Sequence, residues 1–586
     1  MGDQSASAGP RFIRVRSSAR KASSSIRDAS AYGTPAARVD AAIDAYKAGG
    51  LSRRGFLQTV GALGVSASAA STLLAACSSS TSPASSGAGS GKPRRGGTFR
   101  EGYDRDFTPP NPVNSAWADP DYTALFECVI MRDPQGNMVP MLADKFSSGP
   151  NGWTFHLRKG LKFQSGAPLT AEVVATDFKI FANVKTGANA VFWTPITNIT
   201  AQGENVVCQT KHPFRAFQET VCTEYSYVMN PVTWKDQGAS YGTKPTDGTG
   251  PFVLSAYVPG QHVIAKRWEE YPGSIVPFFS NKGRAYLDAI EWIPITQASQ
   301  RAPQIQTNLV DAVKNVPPQD IDSLKGNQNL VVLEFQELSN LFLSVNLGDS
   351  SLGFDDVRVR RAISQAINRE EIVKSILLGH GVATYGPIMP NYKWYNPAVE
   401  KYNRYDPGAS KQLLDAAGWT AGSGGTRQKN GKKLAFTTYH LSTDPEDQVL
   451  QAVTAMLANV GIQMTVVNLP QASFFPKVTP TQTSYAYKWL WSSPIDVAEY
   501  FVAYDQPKTS IINDIYAAYD TWQRAATVDE LKTSAYAYQV TFAKQLPLIP
   551  IYTPNTTWVH STNVVGWQPN QANLYPFYND VWLKHA

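Results

Sequence analysis

Apolar and polar positions along the chain follow two periods, which predict strands in some segments and helices in others. Residues 153–163 (WTFHLRKGLKF) begin with Trp153, Phe155 and Leu157 two apart, which indicates a strand with one buried face. Residues 169–184 carry apolar side chains at helical spacing directly after Pro168, and predict a helix. Further strands are predicted at 96–102, 205–214, 247–268 (a pair), 287–295 and 340–347, and residues 309–325 predict a short strand, a loop and then a helix.

The later part of the chain alternates between predicted strands and helices. Residues 433–440 and 462–469 predict strands, and residues 446–461 predict a helix between them. This strand–helix–strand order is that of a parallel crossover unit, so we expect an α/β fold. Helices are also predicted over 406–419 and, as one long amphipathic region that ends at glycine, over 355–379. In that region Arg358, Arg360 and Arg361 fall off the apolar face, on a solvated or salt-bridged surface.

Residues 51–77 have the layout of an export signal. The arginine pair Arg53-Arg54 precedes an uncharged, mildly apolar run, and small residues lead to Cys77. The arginine pair resembles a twin-arginine signal, and the Leu-Ala-Ala-Cys ending resembles a bacterial lipobox, whose cysteine is lipidated and starts the mature chain. An uncleaved membrane anchor is the alternative, since the run is about long enough to span a bilayer. Its Ala-, Ser- and Gly-rich composition gains little from lipid, which favours the signal.

The formal net charge of +6 lies entirely in residues 1–76, the predicted leader before Cys77. Residues 1–76 contain 10 Lys and Arg against 4 Asp, and the rest of the chain contains 43 basic and 43 acidic residues. The body therefore lacks the basic surface of a nucleic-acid-binding protein. Residues 77–95, rich in Ser, Gly and Pro, are predicted to form a flexible tether. Residues 1–50 suggest no core of their own, and their role is left open.

The cysteines allow one disulfide in an exported protein. Cys208 and Cys222 flank a short segment and could close a small loop. Cys128 lies in the apolar stretch LFECVI and is interpreted as a buried thiol. The seven histidines show no close metal-ligand spacing, so no metal and no cofactor are predicted.

Seven segments, in the same order, resemble a known family. The chain is similar to the extracytoplasmic solute-binding proteins of ABC importers, specifically the oligopeptide/dipeptide/nickel type, family 5. The matching segments are GGTFREG (96–102), LFECVIMRDPQGNMVPMLADKF (125–146), WTFHLRKGLKFQSGAPLTAEVVATDF (153–178), GTGPFVLSAYVPGQHV (248–263), FDDVRVRRAISQAINREEIVKSILLGHG (354–381), YDPGASKQLLDAAGW (405–419) and LPLIPIY (546–552). The resemblance covers about residues 96–552.

The resemblance implies an α/β, two-lobed, type II periplasmic-binding-protein-like fold with an extra small domain inserted in the first lobe. Hinge crossings are then expected at Leu341–Asn346 and Pro547–Tyr552, because both are short extended runs. The implied divisions are a leader at 1–76, a tether at 77–95, lobe I at 93–130, 233–339 and 548–586, the insert at 131–232 and lobe II at 340–547.

The implied function is capture of a peptide or peptide-like solute in the cleft between the lobes, and delivery to the ABC permease. The protein is then a monomer at the outer face of the cell membrane, held by a lipid on Cys77. Peptide-binding members hold the peptide amino group with an acidic residue in a W-x-x-D pattern. After Trp491 the matching position here is Pro494, and Asp496 is out of register.

Aromatic side chains offer stacking faces for the solute in place of that acidic residue. The candidate ligand-binding residues are Trp491, Trp489, Asp496, Tyr439, Trp193 and Trp394. For each aromatic residue, a role in the core is the competing interpretation.

Three other functions stay open at this point. The same fold could bind an oligosaccharide or another small solute, or serve a sensor or chaperone without transport. A secreted hydrolase is the third, but the chain has no H-E-x-x-H zinc helix and no G-x-S-x-G nucleophile elbow. The protein is therefore predicted not to be an enzyme.

The signal predicts the start of the mature chain. We expect the chain isolated from membranes to begin at Cys77 and to carry a lipid, because the lipobox marks that cysteine for modification. Intact-mass analysis of the membrane fraction checks this. A mature chain that starts upstream of Cys77 and carries no lipid would contradict it.

Overall fold

A 12-stranded mixed sheet organises the chain in the computed structural model. The structure describes Thr59 and residues 91–113, 119–183, 192–392, 394–422, 424–441, 443, 445–478, 483–490 and 509–585. The predicted signal residues Arg53, Arg54 and Cys77 lie outside this part of the chain, as do Trp491 and Asp496. Within the described ranges, no helix combines the length and the apolar character needed to cross a bilayer.

The strands are numbered in chain order. They are β1 Thr98–Tyr103, β2 Ile130–Arg132, β3 Met138–Pro140, β4 Ala143–Gly149, β5 Gly152–Leu157, β6 Ile196–Gln202, β7 Asn205–Thr210, β8 Phe252–Val258, β9 His262–Arg267, β10 Ala289–Pro294, β11 Ala312–Lys314, β12 Leu330–Gln336, β13 Ser339–Ser344, β14 Gly381–Ala383, β15 Gln428–Lys429, β16 Lys432–Lys433, β17 Ala435–Leu441, β18 Gln463–Leu469, β19 Tyr485–Leu490, β20 Ile549–Ser561, β21 Val564–Val565 and β22 Trp582–Leu583.

The α-helices are numbered in the same way. They are α1 Tyr122–Leu125, α2 Ala171–Asn183, α3 Phe217–Thr220, α4 Pro231–Gln237, α5 Ala298–Gln306, α6 Pro318–Lys325, α7 Val357–Ala366, α8 Arg369–Ser375, α9 Pro407–Ala416, α10 Glu446–Ala458, α11 Gln471–Phe474, α12 Asn513–Gln523 and α13 Val528–Gln545.

The long strand β20 belongs to both halves of the large sheet, whose order is β18-β17-β19-β13-β20-β11-β1-β10-β9-β8. Its beginning, Ile549–Pro554, pairs with β13 and β14. Its end, Asn555–Ser561, pairs with β11 and β12. We call β1 and β8–β12 the first half, and β13, β14 and β17–β19 the second half. The chain passes between them at Glu337-Leu338, which joins β12 to β13, and again at Pro554-Asn555 inside β20.

A separate antiparallel sheet of four strands has the order β4-β5-β7-β6. Cys208 lies on β7, fully buried in this sheet. Cys222 follows α3 instead, where the Nε atom of Arg132 donates to its Sγ atom at 3.5 Å. Both cysteines, like Cys128, are free buried thiols in the structure. The bridge considered between Cys208 and Cys222 is therefore absent, because the two side chains pack in different surroundings.

The predicted helices and the crossover unit are found, with one exception. Helices α2 and α10 fall on the predicted segments, and β17 pairs with β18 in parallel across α10. The region 355–379 is not one helix but two, α7 and α8. Ile367 is extended between them, and the Asn368 side chain accepts a hydrogen bond from Glu371 N. Asn368 caps the start of α8 and has a non-helical backbone, as N-cap residues do, so α7 cannot continue through it.

The arginines of α7 do not share one environment. Arg358 is half-exposed and pairs with Asp356 at 2.6 Å, as predicted. Arg360, in contrast, is 1% exposed and donates to the carbonyls of Gln545, Leu546 and Phe354. Two of these carbonyls close the C-terminal end of α13, where a positive charge is favourable. The expectation of a solvated or salt-bridged side chain is wrong for Arg360, because the end of α13 supplies enough acceptors to bury it.

This difference gives a stability prediction. We expect Arg360→Ala to lower the free energy of unfolding by roughly 3 kcal/mol, because it leaves several buried carbonyls without a donor. Arg358→Ala on the same helix is the control, and should cost far less than Arg360→Ala because its ion pair with Asp356 is exposed. Urea unfolding followed by circular dichroism measures both. Equal losses in the two variants would contradict the assignment.

Candidate ligand cleft

The carboxyl ends of parallel strands from both halves of the sheet converge on one junction. In the first half, β1 and β11 are parallel and end at Tyr103 and Lys314. In the second half, β17 and β19 are parallel and end at Leu441 and Leu490. Ligands of open α/β sheets bind outside the carboxyl ends of such strands. The junction is therefore the candidate ligand cleft.

Five charged side chains of alternating sign link the two halves there, and we call them the junction charges. They are Asp104, Lys314, Glu337, Lys488 and Glu446. Lys314 Nζ lies 4.0 Å from Asp104 Oδ2 and 3.5 Å from Glu337 Oε1. Lys488 Nζ lies 3.4 Å from Glu337 Oε2 and 3.6 Å from Glu446 Oε1. Glu337, on the passage between β12 and β13, therefore contacts one lysine from each half.

Neighbouring side chains hold the junction charges in position. The Ser339 hydroxyl donates to Glu337 Oε2 at 2.7 Å, and the Tyr552 hydroxyl donates to Glu446 at 3.3 Å. Lys314 Nζ lies 4.9 Å from the ring centroid of Tyr103 and 5.5 Å from that of Trp558. These aromatic faces stabilise the ammonium where water is excluded.

For three of the junction charges, contacts with oppositely charged neighbours stabilise the charged form more than burial destabilises it. Burial alone would raise the pKa of Glu337, but Lys488 and Lys314 hold that pKa below its ordinary value. Burial alone would lower the pKa of Lys488, but Glu337 and Glu446 raise it above its ordinary value. The pKa of Asp104 is likewise lowered, because Lys314 and Arg301 offset the effect of its burial. All three groups are therefore charged at neutral pH.

An aromatic cluster in the second half lies on the face of β19 opposite to Lys488, because successive side chains of a strand point to opposite faces. On β19 the rings of Tyr487 and Trp489 meet edge to face at 4.8 Å, and Tyr487 also packs against Phe475. Tyr439 lies on the neighbouring strand β17, and Lys477 Nζ is 4.3 Å from its ring centroid. Two of the residues predicted from the sequence, Trp489 and Tyr439, are thus placed on adjacent strands whose carboxyl ends reach the junction.

The other two candidate tryptophans within the described residues are packed elsewhere. Trp193 is 1% exposed against Phe178, Phe181 and Phe217, and its Nε1 donates to Tyr225 O at 3.0 Å. Trp394 is buried, and its carbonyl accepts from Gln539 Nε2 of α13 at 2.7 Å. These contacts differ from those of Trp489 and Tyr439.

Sequence reasoning missed the junction charges altogether. A signal was present in β19, where Lys488 interrupts the otherwise uncharged run YAYKWL. Glu337 similarly stands between two extended segments. Over the ranges that the structure describes, no group of three or more His, Cys, Asp and Glu side chains is arranged to hold a metal ion.

The charge of Glu337 predicts a pH-dependent stability. Because its pKa is lowered from 4.5 in the fold, its pairing stabilises the protein above that pH and is lost as the pH falls through the lowered value. We expect Glu337→Gln to lower the free energy of unfolding by roughly 3 kcal/mol at neutral pH, because the buried Lys314 and the partly buried Lys488 both lose a partner. Urea unfolding at a series of pH values should show this difference shrinking on acidification below 4.5.

Glu269→Gln serves as the matched control for this measurement. Glu269 pairs with Arg267 and Arg284 but is 57% exposed, so its loss should cost far less than the loss of Glu337. A Glu337→Gln deficit that stays constant from neutral to acidic pH would contradict the assigned ionisation.

Comparisons with known proteins give the chain its family. The sequence profile of the bacterial extracellular solute-binding proteins, family 5, matches residues 137–510. A probable ABC transporter-binding protein of Deinococcus radiodurans is 28% identical over 420 residues, which are 64% of this chain and 69% of that protein. The oligopeptide-binding protein AppA of Bacillus subtilis is 24% identical over 526 residues, which are 84% of this chain and 93% of AppA.

A solved structure shares the fold over the same extent. The structure of Bacillus subtilis AppA in complex with a nonapeptide matches with a TM-score of 0.71 at 21% identity, and covers 84% of this chain and all of that one. The fold, a 12-stranded sheet centred on β20 together with a separate four-stranded sheet, is therefore a type II periplasmic-binding-protein-like fold. The family profile matches well over half of the sequence, and the chain belongs to the bacterial extracellular solute-binding proteins of family 5.

Proposed function

We propose that this protein captures a peptide or peptide-like solute at the junction and delivers it to the permease of an ABC importer. The observation that carries the proposal is the alternating array of junction charges at the strand ends of both halves. A zwitterionic, peptide-like solute matches charges of both signs, and the faces of Trp489 and Tyr439 match its apolar parts. The likeness to AppA, whose structure holds a nonapeptide, supports the same class of solute. In this role the protein binds and releases its solute without catalysis.

The two halves of the sheet are the structural basis for two lobes that close on the solute. In this proposal lobe I is 93–130, 233–339 and 548–586, with 131–232 inserted, and lobe II is 340–547. The expected crossings, Leu341–Asn346 and Pro547–Tyr552, correspond largely to β13 and to the beginning of β20. We therefore place the hinge slightly outside them, at Glu337-Leu338 and Pro554-Asn555, where the chain passes from one half to the other. A few residues at element ends are enough to absorb such a rotation.

Capture for import also requires that the receptor stay near its permease. A lipid on Cys77 would hold it at the outer face of the cell membrane, and residues 77–95 would act as a tether with a reach on the order of 60 Å when extended. Export through the twin-arginine route, signalled by Arg53 and Arg54, would deliver the body already folded. A monomer suffices for this role, since each chain carries its own cleft.

Closure on a peptide is the test of this function. We expect a pool of di- to nonapeptides at saturating concentration to reduce the radius of gyration in small-angle X-ray scattering, because the lobes rotate together about the solute. A matched pool of oligosaccharides should leave it unchanged. The opposite pattern, with closure on oligosaccharides alone, would contradict the proposed solute class.

Trp489→Ala should weaken binding of the peptide pool by about tenfold, the loss typical of a central aromatic contact. Tyr405→Ala is the control, since Tyr405 is an exposed aromatic outside the junction. Isothermal titration calorimetry measures both variants. Wild-type affinity in Trp489→Ala would exclude this residue from the cleft.

A further inference from the structure

We infer that Lys488 binds the anionic end of the solute, so that the cleft selects peptide-like molecules with a free carboxylate. The inference rests on the function proposed above and names the group that the site recognises. It follows from three properties of Lys488: its exposure, the length of its contacts and the charge balance around it.

Lys488 is the most accessible of the junction charges. Its side chain is 25% exposed, against 19% for Asp104, 5% for Lys314 and Glu337 and 1% for Glu446. Lys314 is also enclosed between the rings of Tyr103 and Trp558. Of the two junction lysines, Lys488 is therefore the one that offers surface to an anionic solute.

The contacts of Lys488 leave room for a further acceptor. Its Nζ atom lies 3.4 Å from Glu337 and 3.6 Å from Glu446. Both distances exceed the roughly 2.7–2.9 Å of a direct charge-assisted hydrogen bond. An ammonium group has three donors that rotate freely, so it can turn one toward an incoming carboxylate while the two glutamates keep it charged.

The other cations near the junction have different partners and different exposure. The side chain of Arg105 is 27% exposed, but its Nε and one terminal nitrogen both donate to Asp119 Oδ1, at 2.9 and 2.7 Å. Lys477 lies over the ring of Tyr439. Arg301 is buried and donates to backbone carbonyls, among them that of Ile295 at 2.9 Å. Lys488 differs from these cations because it is partly accessible and stands between two carboxylates, Glu337 and Glu446, at 3.4 and 3.6 Å.

The charge balance favours a solute that carries both signs. Asp104, Glu337 and Glu446 are offset by Lys314, Lys488 and the adjacent Arg301, so the junction is close to neutral before the solute arrives. A buried site with no surplus charge favours a solute whose own charges cancel, because an unpaired buried charge is costly. A free peptide carries a carboxylate and an amino group, and therefore meets this condition. A peptide amide keeps only the positive group.

The experiment compares two pools of the same di- to nonapeptides, one with free C-terminal carboxylates and one with C-terminal amides. We expect the wild-type protein to bind the free-acid pool at least about tenfold more tightly by calorimetry, the scale of one charged contact. Lys488→Met should abolish this preference and Lys488→Arg should retain it. Lys532→Met, which removes an exposed lysine of α13, should behave as wild type.

A second measurement uses the wild-type protein alone and does not depend on the folding of any variant. In protein labelled with 13C-lysine, the free-acid pool should shift the Cε resonance of Lys488 in nuclear magnetic resonance spectra, and the amide pool should not. The Cε resonance of Lys532 should be unaffected by either. Equal binding of both pools, or equal shifts of the Lys488 resonance, would overturn this inference and leave the peptide function intact. Binding of neither pool would overturn both.

Discussion

The carboxylate of Glu337 contacts a lysine from each half of the large sheet. It lies on the passage from β12 to β13 and meets Lys314 from one half and Lys488 from the other. Burying such charges costs several kcal/mol of desolvation for each ion, which only accurate mutual placement can offset. An apolar contact would tolerate a range of angles between the halves. Buried ion pairs lose their stabilisation when they separate, so they restrict the angle between the halves. They also leave a polar surface at the junction, where a solute would bind.

The strand that carries the second passage is anchored on one side by buried arginines. Arg360 binds the carbonyls of Gln545 and Leu546 just before β20, and Arg369 donates to Pro550 O within it at 2.8 Å. Both side chains are buried, and burial lowers the pKa of each to about 10, which still leaves them charged at neutral pH. The beginning of β20 is therefore fixed to the second half. Any rotation between the halves has to take place beyond this anchored stretch.

The sequence predicted those features that depend on local periodicity. Helices α2 and α10 and the parallel pair β17–β18 appear where the pattern of apolar residues places them. The break at Ile367 was missed because the apolar spacing continues through it, while the cap formed by Asn368 is a local hydrogen bond. The buried site of Arg360 depends on α13, which lies far along the chain. Helix α13 was itself missed, since its run of Ala, Tyr, Thr and Ser has only a weak helical period, although the Thr527–Glu530 capping box marks its start.

In the candidate site, the aromatic residues could be predicted from the sequence and the junction charges could not. Trp489 was identifiable as an aromatic residue next to the W-x-x-D position, and Tyr439 as an aromatic residue of a predicted strand, and the structure puts them on adjacent strands. The junction charges come from five separated parts of the chain, and no spacing along the sequence relates Asp104 to Lys488. Only the topology of the sheet, which turns the carboxyl ends of both parallel sets toward one place, shows that they form one array.

The order of the strands along the chain has a consequence for biosynthesis. Strand β20 follows every other strand of the large sheet in the chain, and both halves of that sheet pair with it. The edges of β11, β12, β13 and β14 that pair with β20 are therefore open to wrong partners until this strand has been made. The large sheet is completed only after that point and through many long-range contacts, and such folding is slow. A cell that makes this protein has to keep the chain from aggregating until β20 is inserted.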